Sequence, residues 1–389
     1  MTVVGIVFTF MCIFLNPLYM LIAGSLIEIY KKLPPYLNYV LAFSIAIAIA
    51  NREIGVQWSS SNGIGIDDAI NYLYFYNNIQ TSSYILNFNE VFINIFSGKE
   101  PLWFLLAEIS GRISLFDEGF LILVSTLVPV MLFHYSFIKI TKYYCFCALV
   151  FYFLVPEVFH LLFHLYRSSL ALSLIAVGLA MTLANNNTNN KLIYLAPLGH
   201  LSTVLPAFVL FSQRFVFFNL SLSNKLYGLI FLSIFFFIGL YFMLYLATVI
   251  GFEKIVFYLS SDGDIFILST RHFIYLVLSS YLILITKNKN IYLLSIATLL
   301  LIFMPIFLDG LGIFFERILI LFTPLLALSL AHEIDGSQFK RLAIIIVITA
   351  NFLYLASKVN GQLFYQYMSD GQFFNFFSGL LYNIYTYLL

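Results

Sequence analysis

The sequence predicts an all-α fold, a polytopic integral membrane bundle of about 10–12 transmembrane helices with a large outer loop and possible re-entrant helices. Two observations lead to this fold class. Apolar residues make up 62% of the 389 residues and charged residues only 10%, whereas a soluble domain carries about 25% charged residues. Apolar stretches close to the length of about 20 residues that crosses a bilayer recur along the chain. The composition therefore excludes a water-soluble globular protein and a disordered one.

The predicted spans follow one another as a single multi-span domain over residues 1–389. The first apolar stretch is too long for a cleaved signal peptide and lacks its basic start, so we expect it to remain as a helix. The spans are Thr2–Ile27, Leu37–Ala50, Gly119–Ile138, Tyr144–Leu162, Ser168–Ala184, Leu226–Ile250, Phe273–Thr286, Tyr292–Leu308, Ile318–Ala331 and Leu342–Ala356.

The orientation follows from the charges of the loops, because Lys and Arg in short loops mark the cytoplasmic side. Residues 51–100 form a long loop with a net negative charge, which is predicted to lie outside. Only one clear span then separates this loop from the cytoplasmic Lys139. Pro101–Phe116 is therefore predicted to be re-entrant or interfacial, and Leu192–Phe211, interrupted by Pro197 and Pro206, suits a broken hairpin. The alternative is that both segments are ordinary spans.

The charge and the cysteines exclude further classes. A net charge of +1 provides no basic field, so a nucleic-acid partner is not expected. Cys12, Cys145 and Cys147 all lie in apolar stretches and form neither a CxxC pair nor a metal-ligand spacing. No cofactor and no metal are expected.

Ionisable residues inside apolar spans are costly and are functional candidates by default. Glu157, His160, His164 and Arg167 are spaced to form one stripe on a helix. One interpretation is a pocket for an anionic group with a histidine as general base. The other is a polar seam between helices, with zinc a weaker option because the HExxH pattern is absent.

His200 lies in the broken segment, directly after Gly199. It is a candidate general base, or alternatively a hydrogen-bond donor between helices. In the outer loop, Asp67 and Asp68 precede Tyr72; these residues suit sugar hydroxyls and rings, although adjacent acidic residues can simply cap a helix.

Arginine is suited to phosphate because its planar guanidinium can bond two oxygens. Arg52, Arg167, Arg271 and Arg317 all fall on the predicted outer side, with Glu316 beside the last of them. Each can be an interfacial anchor. Four outward arginines nevertheless run against the usual inside bias, which favours an anion-binding role.

Several short motifs occur in an order that resembles the EpsG family of Wzy-like polysaccharide polymerases. Arg52, Gly65, Asp67 or Asp68, and Tyr72 resemble its R…GxDxxxY pattern, although residues 55–62 separate the arginine from the glycine. Glu100–Leu106 (EPLWFLL) is similar to EPxFxLL, Tyr166–Ala171 to RQxxA with Ser168 in place of Gln, and Gly199–Ser202 to FHxS with Gly199 in place of an aromatic residue. Glu316-Arg317 fits a late arginine of the family.

The resemblance implies a function and its partners. Such proteins join undecaprenyl-pyrophosphate-linked oligosaccharide repeat units on the outer face of the bacterial cytoplasmic membrane. Further expected partners are the lipid bilayer, a chain-length regulator and a flippase. Arg167, Arg271 and Arg317 would contact the pyrophosphate, and His200, His164 or Asp68 would be the base. The rival predictions are a flippase for the same lipid-linked sugar, an O-antigen ligase, and a purely structural membrane partner.

Overall fold

A computed structural model of the protein describes residues 3–51, 58–60, 63–65, 68–80, 100–154, 165–185, 191–216, 223–231, 270–307, 312–335 and 379–388, with some single residues between these ranges. This part of the chain is helical apart from one short β-hairpin, which confirms the predicted all-α class. Contacts divide the chain into two compact units. The first comprises Met1–Val204 and Ile334–Leu389, and the second comprises Leu205–Glu333.

The first unit carries most of the described helices. They are α1 (Val3–Phe14), α2 (Pro17–Tyr30), α3 (Tyr36–Ala50), α4 (Asp68–Gln80), α5 (Pro101–Ser114), α6 (Glu118–Ile140), α7 (Tyr144–Leu149), α8 (Tyr166–Asn185) and α9 (Lys191–Leu195), with a final helix, here α14 (Leu380–Leu388). The hairpin pairs β1 (Trp58–Ser60) with β2 (Gly63–Gly65) in antiparallel register.

The described part of the second unit contains one short helix and three longer ones, with a further helical stretch at 223–231. These helices are α10 (Val204–Phe211), α11 (Thr270–Ile285), α12 (Lys289–Phe307) and α13 (Gly312–Asp335). At one end of this unit, the Thr286 hydroxyl donates to Oε1 of Glu333 over 2.6 Å.

Three of the described helices are long and apolar enough to cross a membrane: α6, α8 and the stretch Phe315–Asp335 of α13. Five shorter apolar helices accompany them. By contrast, α5 has 14 residues and extends over about 21 Å, less than the hydrocarbon thickness of about 30 Å. α5 alone is therefore shorter than the hydrocarbon core.

The predicted break in Leu192–Phe211 is also present. After α9, two 3₁₀ turns at Ala196–Leu198 and Leu201–Thr203 interrupt the chain before α10 begins. Neither α9 nor α10 is long enough to span a bilayer. This arrangement leaves His200 in extended backbone between the two turns.

Two predicted spans differ from the structure. Thr2–Ile27 is not one helix, because α1 ends at Phe14 and Asn16 starts α2, its side chain accepting the N–H of Leu18 over 2.9 Å. Pro17 occupies the first helical position, where a missing N–H costs nothing. The span predicted from Tyr144 changes from α7 to a π-helical turn at Val150–Leu154.

The core of the first unit is built where α3, α6 and α8 pack together. One buried polar cluster in this core is mutually hydrogen-bonded: His134 Nδ1 lies 2.8 Å from Asn38 Oδ1, and His134 Nε2 lies 3.0 Å from the hydroxyl of Tyr152. Such pairing removes most of the cost of burying these polar atoms. The cluster links α3 to α6 and to the π-helical turn.

Candidate functional site

Glu100 is the centre of the site. It immediately precedes α5, whose first residue is Pro101, and its side chain makes no capping hydrogen bond to that helix. The carboxylate is therefore directed to other elements. Its Oε1 accepts a hydrogen bond from Nδ1 of His200, and its Oε2 forms an ion pair with Nη1 of Arg167. One buried carboxylate thus joins two cationic or titratable groups from two other parts of the chain.

Arg167 is held from a second direction by Tyr72. It lies in the first turn of α8, and its Nε donates to the Tyr72 hydroxyl over 3.3 Å. Its guanidinium carbon lies 5.0 Å from the centre of the Tyr72 ring. The side chain of Arg167 remains 33% exposed. The guanidinium is thus fixed in direction and still accessible to a ligand.

Tyr72 belongs to a buried aromatic group at the start of α8. Its ring centre lies 5.0 Å from that of Trp103 on α5 and 5.5 Å from that of Tyr166. Only 7% of Tyr72 is exposed. Because the ring is covered and the hydroxyl is engaged, Tyr72 supports Arg167 and does not offer an open face for sugar stacking.

The broken segment determines the direction of the His200 side chain. His200 has extended backbone dihedral angles, and its carbonyl accepts the Thr203 hydroxyl over 2.6 Å and the Thr203 N–H over 3.0 Å. With Nδ1 bonded to Glu100, Nε2 is the ring nitrogen left for a substrate. The His200 side chain is 25% exposed, compared with 7% for Glu100.

The surroundings of Glu100 determine its charge. Burial alone would raise its pKa, but the hydrogen bond from His200, the charge of His200 and the charge of Arg167 outweigh it and hold the pKa below the usual range. The Glu100 carboxylate is therefore ionised at neutral pH. An ionised carboxylate fixes the tautomer of His200 by accepting from Nδ1, which leaves Nε2 able to accept a proton.

A family model of the EpsG family matches residues 54–370, which is most of the chain. The protein belongs to the EpsG family. This is a Wzy-like polymerase family, so membership supports a role in polysaccharide biosynthesis at a membrane. No curated protein and no solved structure matches the chain.

The structure of this EpsG-family protein brings together three of the predicted site residues: Tyr72, Arg167 and His200. They come from separate motifs of the resemblance. Arg167 and His200 meet through Glu100, and Tyr72 contacts Arg167. Other predicted residues are not described at side-chain level. Arg52, Asp67, Glu157, His160 and His164 lie outside the described residues, and only the backbone is described for Asp68 and Arg271.

Glu316 and Arg317 lie near the start of α13 in the second unit. Oε1 of Glu316 is 3.8 Å from Nε2 of His272, which is 1% exposed, while Arg317 itself is exposed. The start of α11 and the start of α13 are thus adjacent within that unit. His272, which directly follows the predicted site residue Arg271, is the residue that contacts Glu316.

Glu100 is the main residue of the candidate site that sequence reasoning does not single out. In the sequence it is one of the acidic residues of the outer loop and the first residue of the EPxFxLL-like motif. The available signal was its place at the junction of a polar loop and an apolar helix, before a proline that fixes the helix start. Among the described residues, no group of three or more His, Cys, Asp or Glu side chains is placed to hold a metal ion.

Proposed function

We propose that this EpsG-family protein joins undecaprenyl-pyrophosphate-linked oligosaccharide repeat units into a surface polysaccharide on the outer face of the bacterial cytoplasmic membrane. The observation that carries the proposal is the bridging of Arg167 and His200 by Glu100. It places a phosphate-binding group and a candidate base on one carboxylate, so that both can face one reaction centre.

The chemistry is a displacement at the anomeric carbon of the donor. His200 Nε2 removes the proton of an acceptor sugar hydroxyl, and the hydroxyl oxygen forms a bond to that carbon. The bond from the carbon to the pyrophosphate oxygen breaks, and its electron pair leaves with the pyrophosphate. Arg167 stabilises the negative charge that develops on the leaving group.

The accessibility of the three side chains supports these roles. Arg167 and His200 are partly exposed, whereas Glu100 is almost fully buried. Arg167 and His200 can therefore contact substrate, and Glu100 positions them. Each oxygen of the Glu100 carboxylate contacts one of the two groups, so a His200 that has taken up the proton still has a carboxylate partner.

The other predicted substrate contacts remain part of the proposal. Arg271, Glu316 and Arg317 are proposed to contact a lipid-linked substrate, as are Arg52, Asp67 and Asp68. A chain-length regulator and a flippase are proposed partners in the same pathway. Alanine variants of Arg271 and Arg317 test the second unit separately from the Glu100 site.

The decisive experiment is complementation of a deletion strain, with the length distribution of the surface polysaccharide as the readout. We expect the deletion to leave single repeat units on the lipid acceptor. The wild-type protein should restore the ladder of chain lengths, and Arg167→Ala or His200→Ala should not. Arg112→Ala is the matched control, because this partly buried arginine pairs with Glu108 in the same unit, away from Glu100.

Three outcomes would contradict the proposal. Loss of all outward-facing repeat units on deletion would indicate a flippase. Repeat units that polymerise normally but are not transferred to their final acceptor would indicate a ligase. A normal ladder with both Arg167→Ala and His200→Ala would indicate a structural role.

A further inference from the structure

The broken segment approaches α8 very closely at one point. A Cβ built on Gly199 would lie 3.1 Å from Cβ of Ala171, 3.3 Å from its Cα and 3.3 Å from the carbonyl oxygen of Ala196. Contacts this short are rare for real Cβ atoms, so even one methyl group at position 199 requires the segment or the helix to shift by a few tenths of an ångström. Close packing of this kind transmits small volume changes to neighbouring groups.

The contact lies directly beside the site. Ala171 is four residues after Arg167 on α8, so the two share a face of the helix. Gly199 is bonded to His200 through the peptide chain. The contact therefore connects the helix that carries Arg167 with the segment that carries His200, and Ala171 itself is fully buried.

We propose that Ala171 and Gly199 are a positioning pair, which sets the distance between His200 and Arg167. The inference rests on the proposed function, which assigns these two residues to the base and to the phosphate contact. Because Ala171 and Gly199 are small, the broken segment can lie against α8 and His200 can reach the Glu100 carboxylate. Neither residue contacts the substrate in this role.

The mechanism of positioning is steric. A methyl group on residue 199 would push the segment away from α8, while Glu100 and Arg167 remain attached to α5 and α8. His200 would then be displaced from Glu100 or turned away from the acceptor hydroxyl. Misplacement of a reacting group by about 1 Å can cost on the order of 100-fold in rate, so a shift of a few tenths of an ångström is expected to cost about tenfold.

The test moves one methyl group between the two residues. Gly199→Ala should lower kcat about tenfold with little change in KM, because ground-state binding is retained and the reacting geometry is lost. The double variant Ala171→Gly/Gly199→Ala removes the nearest atom and should recover kcat to within about threefold of wild type. Rates are measured per folded protein, with lipid-linked repeat units extracted from the deletion strain as substrate.

A glycine away from the site provides the control. A Cβ on Gly24 of α2 would lie 2.6 Å from Sγ and 3.1 Å from Cβ of Cys145 on α7, so Gly24→Ala also crowds the packing between two elements, neither of which carries a site residue. This variant should lower the unfolding temperature without a selective fall in kcat. If the role of Gly199 were purely structural, Gly199→Ala would likewise lower the unfolding temperature without a selective fall in kcat.

The results separate the two proposals. If Gly199→Ala retains wild-type kcat, or if the double variant does not recover, the positioning pair is wrong. If Arg167→Ala and His200→Ala leave the ladder unchanged, the proposed function is wrong as well. Loss of the ladder in those two variants, with full activity in Gly199→Ala, overturns only the positioning pair.

Discussion

The side chains of the site depend on one another, because the buried Glu100 carboxylate contacts both Arg167 and His200. Neutralising it would leave Arg167 with one protein partner fewer and His200 without a fixed tautomer. Removing one member of a buried ion pair typically costs about 3–5 kcal/mol, since the remaining charge is uncompensated. Glu100 is therefore expected to matter for both stability and activity, and a control must separate the two effects.

Glu100→Gln should reduce polymerisation by at least about 100-fold, because both reacting groups lose their orientation. The matched control is Glu108→Gln. Glu108 is also a buried carboxylate of α5 with an arginine partner, Arg112, but it lies away from His200. Both variants should lower the unfolding temperature, and only Glu100→Gln should abolish the polysaccharide ladder. Equal activity of the two variants would remove Glu100 from the site.

The contribution of Glu100 to the stability of the fold is expected to decrease at low pH. Its pKa is lower in the folded protein than in an unfolded chain. Its ion pair therefore stabilises the fold at pH values above the ordinary glutamate pKa of about 4.3, and this contribution is lost as the pH falls through the lowered folded value. The unfolding-temperature advantage of wild type over Glu100→Gln should stay constant from neutral pH to about 4.3 and shrink below it. An advantage that is already lost between about pH 7 and 5 would mean that the pKa is raised.

Tyr72 offers a finer test at the same scale. Tyr72→Phe keeps the aromatic packing and removes the oxygen that accepts from Nε of Arg167. Hydrogen bonds to charged groups contribute about 1.5–3 kcal/mol, so we expect polymerisation to fall about tenfold. Tyr76→Phe is the control, because Tyr76 lies one turn further along α4 and bonds to Ser114 and Asp117 instead. A fall of the same size in both variants would point to the packing of α4.

At the level of elements, the site depends on a short helix and on a segment that turns interrupt. The 14-residue α5 begins directly after Glu100, and the segment around His200 is divided into turns. A continuous helix in either place would carry these residues along a regular surface. The departure from the FHxS-like motif also has a structural reason, since Gly199 lies where an aromatic side chain would collide with Ala171.

The last helix is a second element whose packing can be tested. A Cβ on Gly379 would overlap backbone atoms of Ile13, Phe14 and Leu15, at the break between α1 and α2. Gly379→Ala should therefore displace α14 and lower the free energy of unfolding by about 1–3 kcal/mol. Leu381→Ala is the control, because Leu381 is exposed and should change stability little. Thermal unfolding of the purified proteins measures both, and equal stability of the two variants would show that α14 packs differently.

At the scale of the whole molecule, the contacts of the first unit predict the side of the membrane on which α14 ends. Asn51, at the end of α3, donates to the carbonyl of Asn383 over 2.6 Å and to the Thr386 hydroxyl over 2.8 Å. Tyr387 lies beside Gly119, at the start of α6. The end of α14 is thus on the same side of the unit as the ends of α3 and α6 near Glu100, which the loop charges predict to be outside.

Cysteine labelling in intact cells tests this arrangement. Leu388→Cys, at an exposed position, should react with a membrane-impermeant maleimide. Lys142→Cys, in the exposed turn between α6 and α7, should react only after the membrane is made permeable. The native Cys12, Cys145 and Cys147 are buried and should give little background. The reverse labelling pattern would invert the orientation and contradict an outer-face site.

The sequence by itself determined the fold class, because the cost of placing charged groups in lipid leaves a composition and an apolar spacing that only a helical membrane protein satisfies. It also named Arg167 and His200, since ionisable residues are few enough in such segments to be singled out, and it named Tyr72 through its place in the R…GxDxxxY-like pattern. The break at Asn16-Pro17 was readable from local capping and was missed because the hydropathy of the stretch is continuous.

Only the tertiary structure decided which of these residues meet. Glu100 and His200 are separated by 100 positions along the chain, and Arg167 and Tyr72 by 95. Periodicity and insertion energetics act over one helix and contain no information on contacts at that separation. The packing of α4, α5 and α8 and the close approach of Gly199 to Ala171 depend on side-chain shapes fitting together across the bundle, which local patterns do not specify.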